Sequence, residues 1–532
     1  MRHPLTKLLS LTVLCALPAI SLAADDGPTA KTKAPEDAII ERIDSLQAQL
    51  DELRQELAAL RSQRNPAPAA APAAAPIAAV TVPAPAPAPG PVAAPQPMLP
   101  EPPAQPQAAA PATKPEPFAF GDFTWLTGNP RTKESPIDTK AFTAEIRFDT
   151  NYTNSLAHPA DHTIGGSSEI FRSNEVQVTQ AGIGGDFHYD NVRGRFMTQF
   201  GMYSFTTPRN DASPGRGQWD LDTAYRYISE AYGGYHINKL NGINIDAGIF
   251  MSYVGLYSYY QFDNWAYQPS YVSSNTPWFF NGMRIQIFPS DKLKIEPWIV
   301  NGWQSYGKFN KAPGLGVQIL WRPNSSISVL GNQYWGTDAL GIPDRKRFHT
   351  DDSLQVKYLD RPNRGLDKAA FTITIDAGCE TGGGVVCHGG TILTPSQYFL
   401  GFMAYNRFWF HKDLFALTLG GGAITNPGRY LVLIPPINGA TAQTGTPYFT
   451  ENPGDKYRAW DSSLTFDYMP TQFVTFRWEA NHRAANVPYF SGGGGITPPG
   501  GNNGNPGALI PLWSPDLRKY ENRFTMAILV KL

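Results

Sequence analysis

From about Lys140 to Leu532 the chain changes sides at every second residue. Leu315, Val317, Ile319 and Trp321 alternate with Gly316, Gln318, Leu320 and Arg322. Phe371, Ile373 and Ile375 alternate with Thr372, Thr374 and Asp376, and Val474, Phe476, Trp478 and Ala480 with Thr475, Arg477, Glu479 and Asn481. A period of two places successive side chains on opposite faces of a sheet. Here one face is apolar and the other carries charge. A soluble sandwich turns its apolar face inward; a transmembrane barrel turns that face to lipid and keeps the polar one around a wet lumen.

Connection lengths separate the two. The tract reads as about sixteen strands of roughly ten or more residues each, the length that crosses a bilayer when tilted. Short connections fall at Asp190-Asn191, Asn238–Gly242, Pro289–Lys292, Pro323–Ser325, Arg361–Lys368, His411–Asp413 and Pro470–Gln472. Long ones fall near 153–172, 207–221, 255–275, 305–312, 337–349, 379–394, 425–456 and 485–516. Short turns at one end and long loops at the other are the pattern of an outer-membrane barrel. The expected fold is therefore all-β: a closed, antiparallel transmembrane β-barrel of about 16 strands, with both chain ends on the short-turn side.

The preceding residues divide by composition. Residues 1–23 have Arg2 and Lys7, an apolar run from Leu8 to Ile20 and a Ser21-Leu22-Ala23 cleavage site, the pattern of a signal peptide. Cys15 lies in the apolar run after Leu14, which argues against lipidation. Over 35–64, Ile39, Ile43, Leu46, Leu50, Leu53, Leu57 and Leu60 follow a heptad seam. This predicts a periplasmic coiled-coil helix; packing against another protein or the barrel rim uses the same stripe. Residues 65–117 form a Pro/Ala-rich linker, since proline removes donors and fixes φ. Residues 118–532 are the barrel, with 118–139 a lead-in.

A net charge of −1 over 532 residues gives no reason to expect a nucleic-acid partner. The mature chain has no apolar run of the roughly 18 residues that a helical span needs. The alternation turns Glu145, Arg147, Arg193, Arg195, Arg284, Lys294, Glu296, Arg322, Lys357, Asp467, Arg477 and Glu479 inward as pore-lining candidates. Their mixed signs set a local field without selecting strongly for one ion sign; a salt-bridged, plugged lumen that does not conduct would use the same residues. The long loop at 255–275 carries Tyr257, Tyr259, Tyr260, Phe262 and Trp265, too many rings for a loop in water. It is expected to fold into the barrel as a constriction and offer ring faces to sugars, although a subunit interface would also use them. Cys379 and Cys387 share a Gly-rich long loop in an oxidising compartment and are expected to form a disulfide.

Catalytic and metal motifs are weak. His158, Asp161 and His162 occupy one loop, but that is a poor metal set. His188, His236, His349, His388, His411 and His482 are scattered, and no G-x-S-x-G accompanies them. No enzyme, metal or cofactor is expected.

Gly121-Asp122-Phe123-Thr124-Trp125-Leu126, Ser229-Glu230-Ala231-Tyr232-Gly233-Gly234-Tyr235, Phe262-Asp263-Asn264-Trp265 and Val300-Asn301-Gly302-Trp303 carry a resemblance. Through them the tract resembles the OmpL-like β-barrel porin family of Gram-negative outer membranes, over about 118–532. The resemblance implies a channel and brings no catalytic residues. Leu532 departs from the aromatic terminus usual in such barrels. The expected function is passive diffusion of small hydrophilic solutes across the outer membrane, in contact with its lipid. A homotrimer is a candidate assembly. The alternatives are a structural anchor that grips peptidoglycan or a periplasmic partner through the coiled coil, and an adhesin or receptor that uses its long loops.

Overall fold

The structure, a computed structural model, describes residues 116–532 except 161, 209–210, 212–217, 309, 340–341, 392, 428–429, 431–455 and 495–515. The signal, heptad and linker calls on residues 1–115 lie outside the described residues. What is described belongs to one compact unit, Gln105–Leu532.

The strands follow the expected order. They are β1 (Phe142–Ser155), β2 (Val176–Tyr189), β3 (Val192–Thr198), β4 (Ile228–Ile237), β5 (Ile243–Met251), β6 (Phe279–Ser290), β7 (Leu293–Val300) and β8 (Gly314–Asn324). They continue as β9 (Ile327–Gly336), β10 (Lys346–Asp360), β11 (Leu366–Thr381), β12 (Tyr398–Phe410), β13 (Phe415–Asn426), β14 (Tyr457–Tyr468) and β15 (Val474–Ala485). A two-residue pair, β16 (Phe490–Ser491) and β17 (Leu517–Arg518), forms a separate small sheet before β18 (Tyr520–Lys531).

β1 through β15 and β18 close into one antiparallel barrel of sixteen strands, each beside its sequence neighbour. The first and last strands seal it, with Arg147 opposite Lys531 and Ser155 opposite Arg523. Closure leaves no row of unpaired backbone groups, the condition for a sheet in hydrocarbon. The short turns follow local chemistry: Asp190 and Asn191 both take positive φ, 50° and 63°, which a two-residue hairpin with the right twist requires.

The apolar residues of the alternation face outward. Leu315 is 50% exposed and Ile375 54%, while Asp376 beside Ile375 is fully buried. This inverts the burial of a soluble sheet, and it is what a lipid-facing wall requires. Most of the buried apolar residues instead come from loops folded inside the barrel and the aromatics they meet.

Candidate functional site

The inward face is a connected array of ions. All twelve pore-lining candidates point inward, and eleven of them form ion pairs or charge-assisted hydrogen bonds. Arg195 reaches Glu230 at 2.8 Å, Asp186 at 2.9 Å and Glu145 at 3.1 Å. Asp246 sits between Arg284 at 3.0 Å and Arg193 at 3.3 Å, and Lys294 meets Glu296 at 2.8 Å. Asp467 is held by Arg407 and Arg477, both at 2.7 Å, and all three are fully buried. Lys357 pairs with Asp360 near the short-turn end. Arg322 is the exception: it forms no ion pair among the described residues. Its guanidinium lies over the rings of Phe123, at 4.5 Å, and Phe118, at 5.0 Å.

The long loop between β5 and β6, residues 252–278, crosses the lumen and is bonded to the opposite wall. Arg477 on β15 donates to the carbonyls of Gln261 at 3.0 Å and Asn264 at 2.7 Å, and Arg407 on β12 donates to that of Trp265 at 3.1 Å. Glu479 accepts the backbone N–H of Tyr267 at 2.7 Å and of Gln268 at 2.8 Å. Asp461 on β14 accepts from the Ser270 hydroxyl at 2.8 Å and the Tyr271 N–H at 3.0 Å. The Tyr267 hydroxyl donates to Asp149 on β1 at 2.7 Å, and Asp263 pairs with Arg147 at 2.8 Å and Lys531 at 3.3 Å. Burial alone would raise the Asp263 carboxyl, but Arg147 and Lys531 outweigh it and hold the group below its ordinary range. Charged groups on backbone donors and acceptors make stronger hydrogen bonds than neutral pairs do.

Close packing makes room for this docking. A Cβ on Gly420 would lie 2.0 Å from the Tyr405 ring, so glycine there lets that tyrosine lie flat and accept the Ser270 N–H at 2.8 Å.

The five constriction-loop aromatics are all buried, Tyr257 the most exposed at 9%. Protein packs against several of these rings. Tyr259 stacks on Trp278 at 5.4 Å, Trp265 meets Trp409 edge-on at 5.5 Å and Tyr257 meets Tyr405 at 5.4 Å. The rings form the packed interior of the loop.

The loop between β1 and β2 also turns inward. Ile164 and Ile170 pack against Phe262 and Tyr267, and Glu169 accepts from the Gln268 side-chain amide at 2.7 Å. Burial pushes the Glu169 carboxyl up to about 7, against the lowering effect of the Ser168 and Gln268 hydrogen bonds and of Arg523.

Cys379 and Cys387 form the expected disulfide. Cys379 belongs to β11 rather than to the loop, because pairing with β12 carries that strand past the cysteine. His162 Nδ1 lies 2.9 Å from the Ser173 carbonyl, and no group of three or more His, Cys, Asp or Glu among the described residues could hold a metal ion.

Sequence reasoning missed two features. The inward arginine Arg407 follows Asn406 in an aromatic strand and drew no notice. The lead-in gave no sign of its packing, yet Trp125 and Asn129 within it are fully buried.

The family model described as beta-barrel porin-2, OmpL-like, matches residues 146–505. No curated protein matches the sequence. Among solved structures, the chain is similar to OprB of Pseudomonas putida at 10% identity, covering 74% of this chain and 94% of that one, with a TM-score of 0.43. The outer membrane channel DcaP of Acinetobacter baumannii is matched at 11% identity, 75% and 100% coverage and a TM-score of 0.41. The outer membrane protein OmpT of Vibrio cholerae is matched at 9% identity, 74% and 99% coverage and a TM-score of 0.41.

Proposed function

Because the chain belongs to the OmpL-like beta-barrel porin-2 family, we propose that it is an outer-membrane channel through which small hydrophilic solutes diffuse passively. One observation carries the reading: a closed barrel whose inward face is an array of charged side chains, crossed by a loop that those same charges hold in place. Transport by this route needs no catalytic group. Pore width, the order of charges and the loop set what passes. The passage runs along the β3–β6 wall, where Arg195 pairs with Glu230 and Asp246 sits between Arg193 and Arg284. A cavity of about 1080 Å³ opens at its short-turn end, lined by Lys140, Asp186, His188, Arg193 and His236 among others.

A homotrimer is part of this reading. Asp352 on β10 faces outward between Phe348 and Tyr358 of the same face, with Thr350 donating to it at 3.0 Å. A carboxylate at that depth is costly in lipid, and a second copy of the chain seated on β9–β10 would cover it.

Stepwise conductance of the purified protein in a planar bilayer tests the channel, and deletion of Tyr259–Gln268 is expected to raise the single-channel step. Absence of steps from folded protein would overturn the reading; an unchanged step after the deletion would overturn the loop's role.

A further inference from the structure

Residues 118–132 run across the short-turn mouth of the barrel. At one side the Phe118 N–H donates to the Asp291 carbonyl in the β6–β7 turn at 2.7 Å. Next, the Trp125 indole N–H donates to the Ser325 carbonyl in the β8–β9 turn at 3.0 Å. At the far side the Asn129 amide donates to the Thr471 carbonyl at 3.1 Å and to the Thr475 hydroxyl at 3.2 Å, and the Thr132 hydroxyl donates to the Gln472 carbonyl at 2.9 Å. In the circular strand order the β6–β7 and β14–β15 turns stand half a circumference apart. The segment is therefore a strap across the diameter of the mouth.

Its centre touches the loop that crosses the lumen. The Gly128 N–H donates to the Asp263 carbonyl at 2.9 Å, and Arg407 donates to the Gly128 carbonyl at 2.7 Å. A Cβ on Gly128 would lie 2.3 Å from the Phe262 carbonyl oxygen, so the two backbones are in direct contact. Strap and loop together narrow the lumen in two stacked layers. The strap also covers Arg322, whose charge is met by the rings of Phe118 and Phe123 in place of a carboxylate, with Nε buried and unbonded.

We propose that this strap is a second, displaceable barrier at the short-turn mouth, and that its departure uncovers Arg322, which then favours anions there. The inference rests on the channel reading above and adds an opening step to it. The strap is held by point contacts to three turns, to the lumen loop and to Arg407 rather than by a strand ladder, so it can leave without opening the barrel wall. It also continues directly into residues 1–117, so force applied to that part of the chain reaches the mouth through Phe118.

The test uses single-channel recording of the full-length mature chain under a salt gradient. Trp125→Ala with Asn129→Ala should raise the conductance step at least twofold and move the reversal potential toward that of the anion. Adding Arg322→Gln should cancel the reversal-potential shift and leave the larger step. An unchanged step in a variant that runs as a folded, heat-modifiable band overturns the barrier; a shift that survives Arg322→Gln overturns the role of Arg322. Silence from both wild type and variant overturns the channel reading as well, whereas a conducting wild type with an unaltered variant overturns the strap alone. If the double variant does not fold, Thr132→Cys with Gln472→Cys gives the same decision. Oxidation should hold the strap down and reduction should enlarge the step, with wild type under the same reductant as the control for Cys379–Cys387. Equal steps in both states of a cross-linked sample would overturn the proposal.

Discussion

Glu479→Gln isolates the bond that holds the lumen loop. The native carboxylate uses one oxygen for the Tyr267 N–H and the other for the Gln268 N–H, and it also accepts from the Thr465 hydroxyl at 2.8 Å. It is 1% exposed, so water cannot replace a lost partner. Glutamine keeps the size and one acceptor, but its amide N–H₂ must then face a backbone N–H. That loses one charge-assisted bond and leaves two buried donors facing each other, a cost of about 2–3 kcal/mol. The undocked population of the loop should rise by about 30- to 150-fold. Chymotrypsin reads this directly, because the loop is rich in tyrosine and cleavage follows the open population when reclosing is fast. Cleavage within residues 252–278 should accelerate by a comparable factor, with noisier open-channel current and an intact barrel. A cleavage rate within about twofold of wild type would mean that the carboxylate does not hold the loop, and the docking argument would fail.

Three further outcomes are expected. Glu169 is held at about 7 in the folded protein against an ordinary 4.5, so the docked state binds the proton more tightly; docking is therefore strongest below about 4.5 and weakens as the pH rises through 7. Cleavage in the loop between β1 and β2 should increase from pH 5 to pH 8, and Glu169→Gln should flatten that profile; a rise that persists in the variant would refute the assignment. Reducing the Cys379–Cys387 bond removes a constraint between cysteines only eight residues apart in sequence, worth about 2–3 kcal/mol in chain entropy, so the barrel should keep its heat-modifiable mobility while the loop after β11 becomes protease-sensitive. Asp352→Leu removes the polar group that a second copy would cover; native electrophoresis should show oligomer shifting to monomer, and an undisturbed oligomer would rule out β9–β10 as the contact.

The sequence by itself determined the wall. Each strand's period of two assigned its faces, and the sorting of short turns from long loops gave sixteen strands and the side on which the first begins and the last ends. These are local properties, carried by neighbours a few residues apart, and a lipid-facing sheet imposes them on every strand separately. The inward direction of Arg477, Asp467 and Glu479 followed from that pattern alone, and the disulfide followed from two nearby cysteines in an oxidising compartment.

Only the tertiary structure decided what fills the barrel. Arg477 meets Asn264 across 213 positions of sequence, and Asn129 meets Thr475 across 346, distances over which no periodicity carries information. Closure and register bring these residues together. Their partners are backbone carbonyls and amides, which every residue supplies, so no side-chain pattern marks where a charged group will land. For the same reason the loop aromatics were legible as buried but not as facing one another, and the lead-in gave no sign that it bridges three turns. The wall was written in side-chain alternation, whereas the lumen was settled by which backbone groups the closed wall left within reach of its charges.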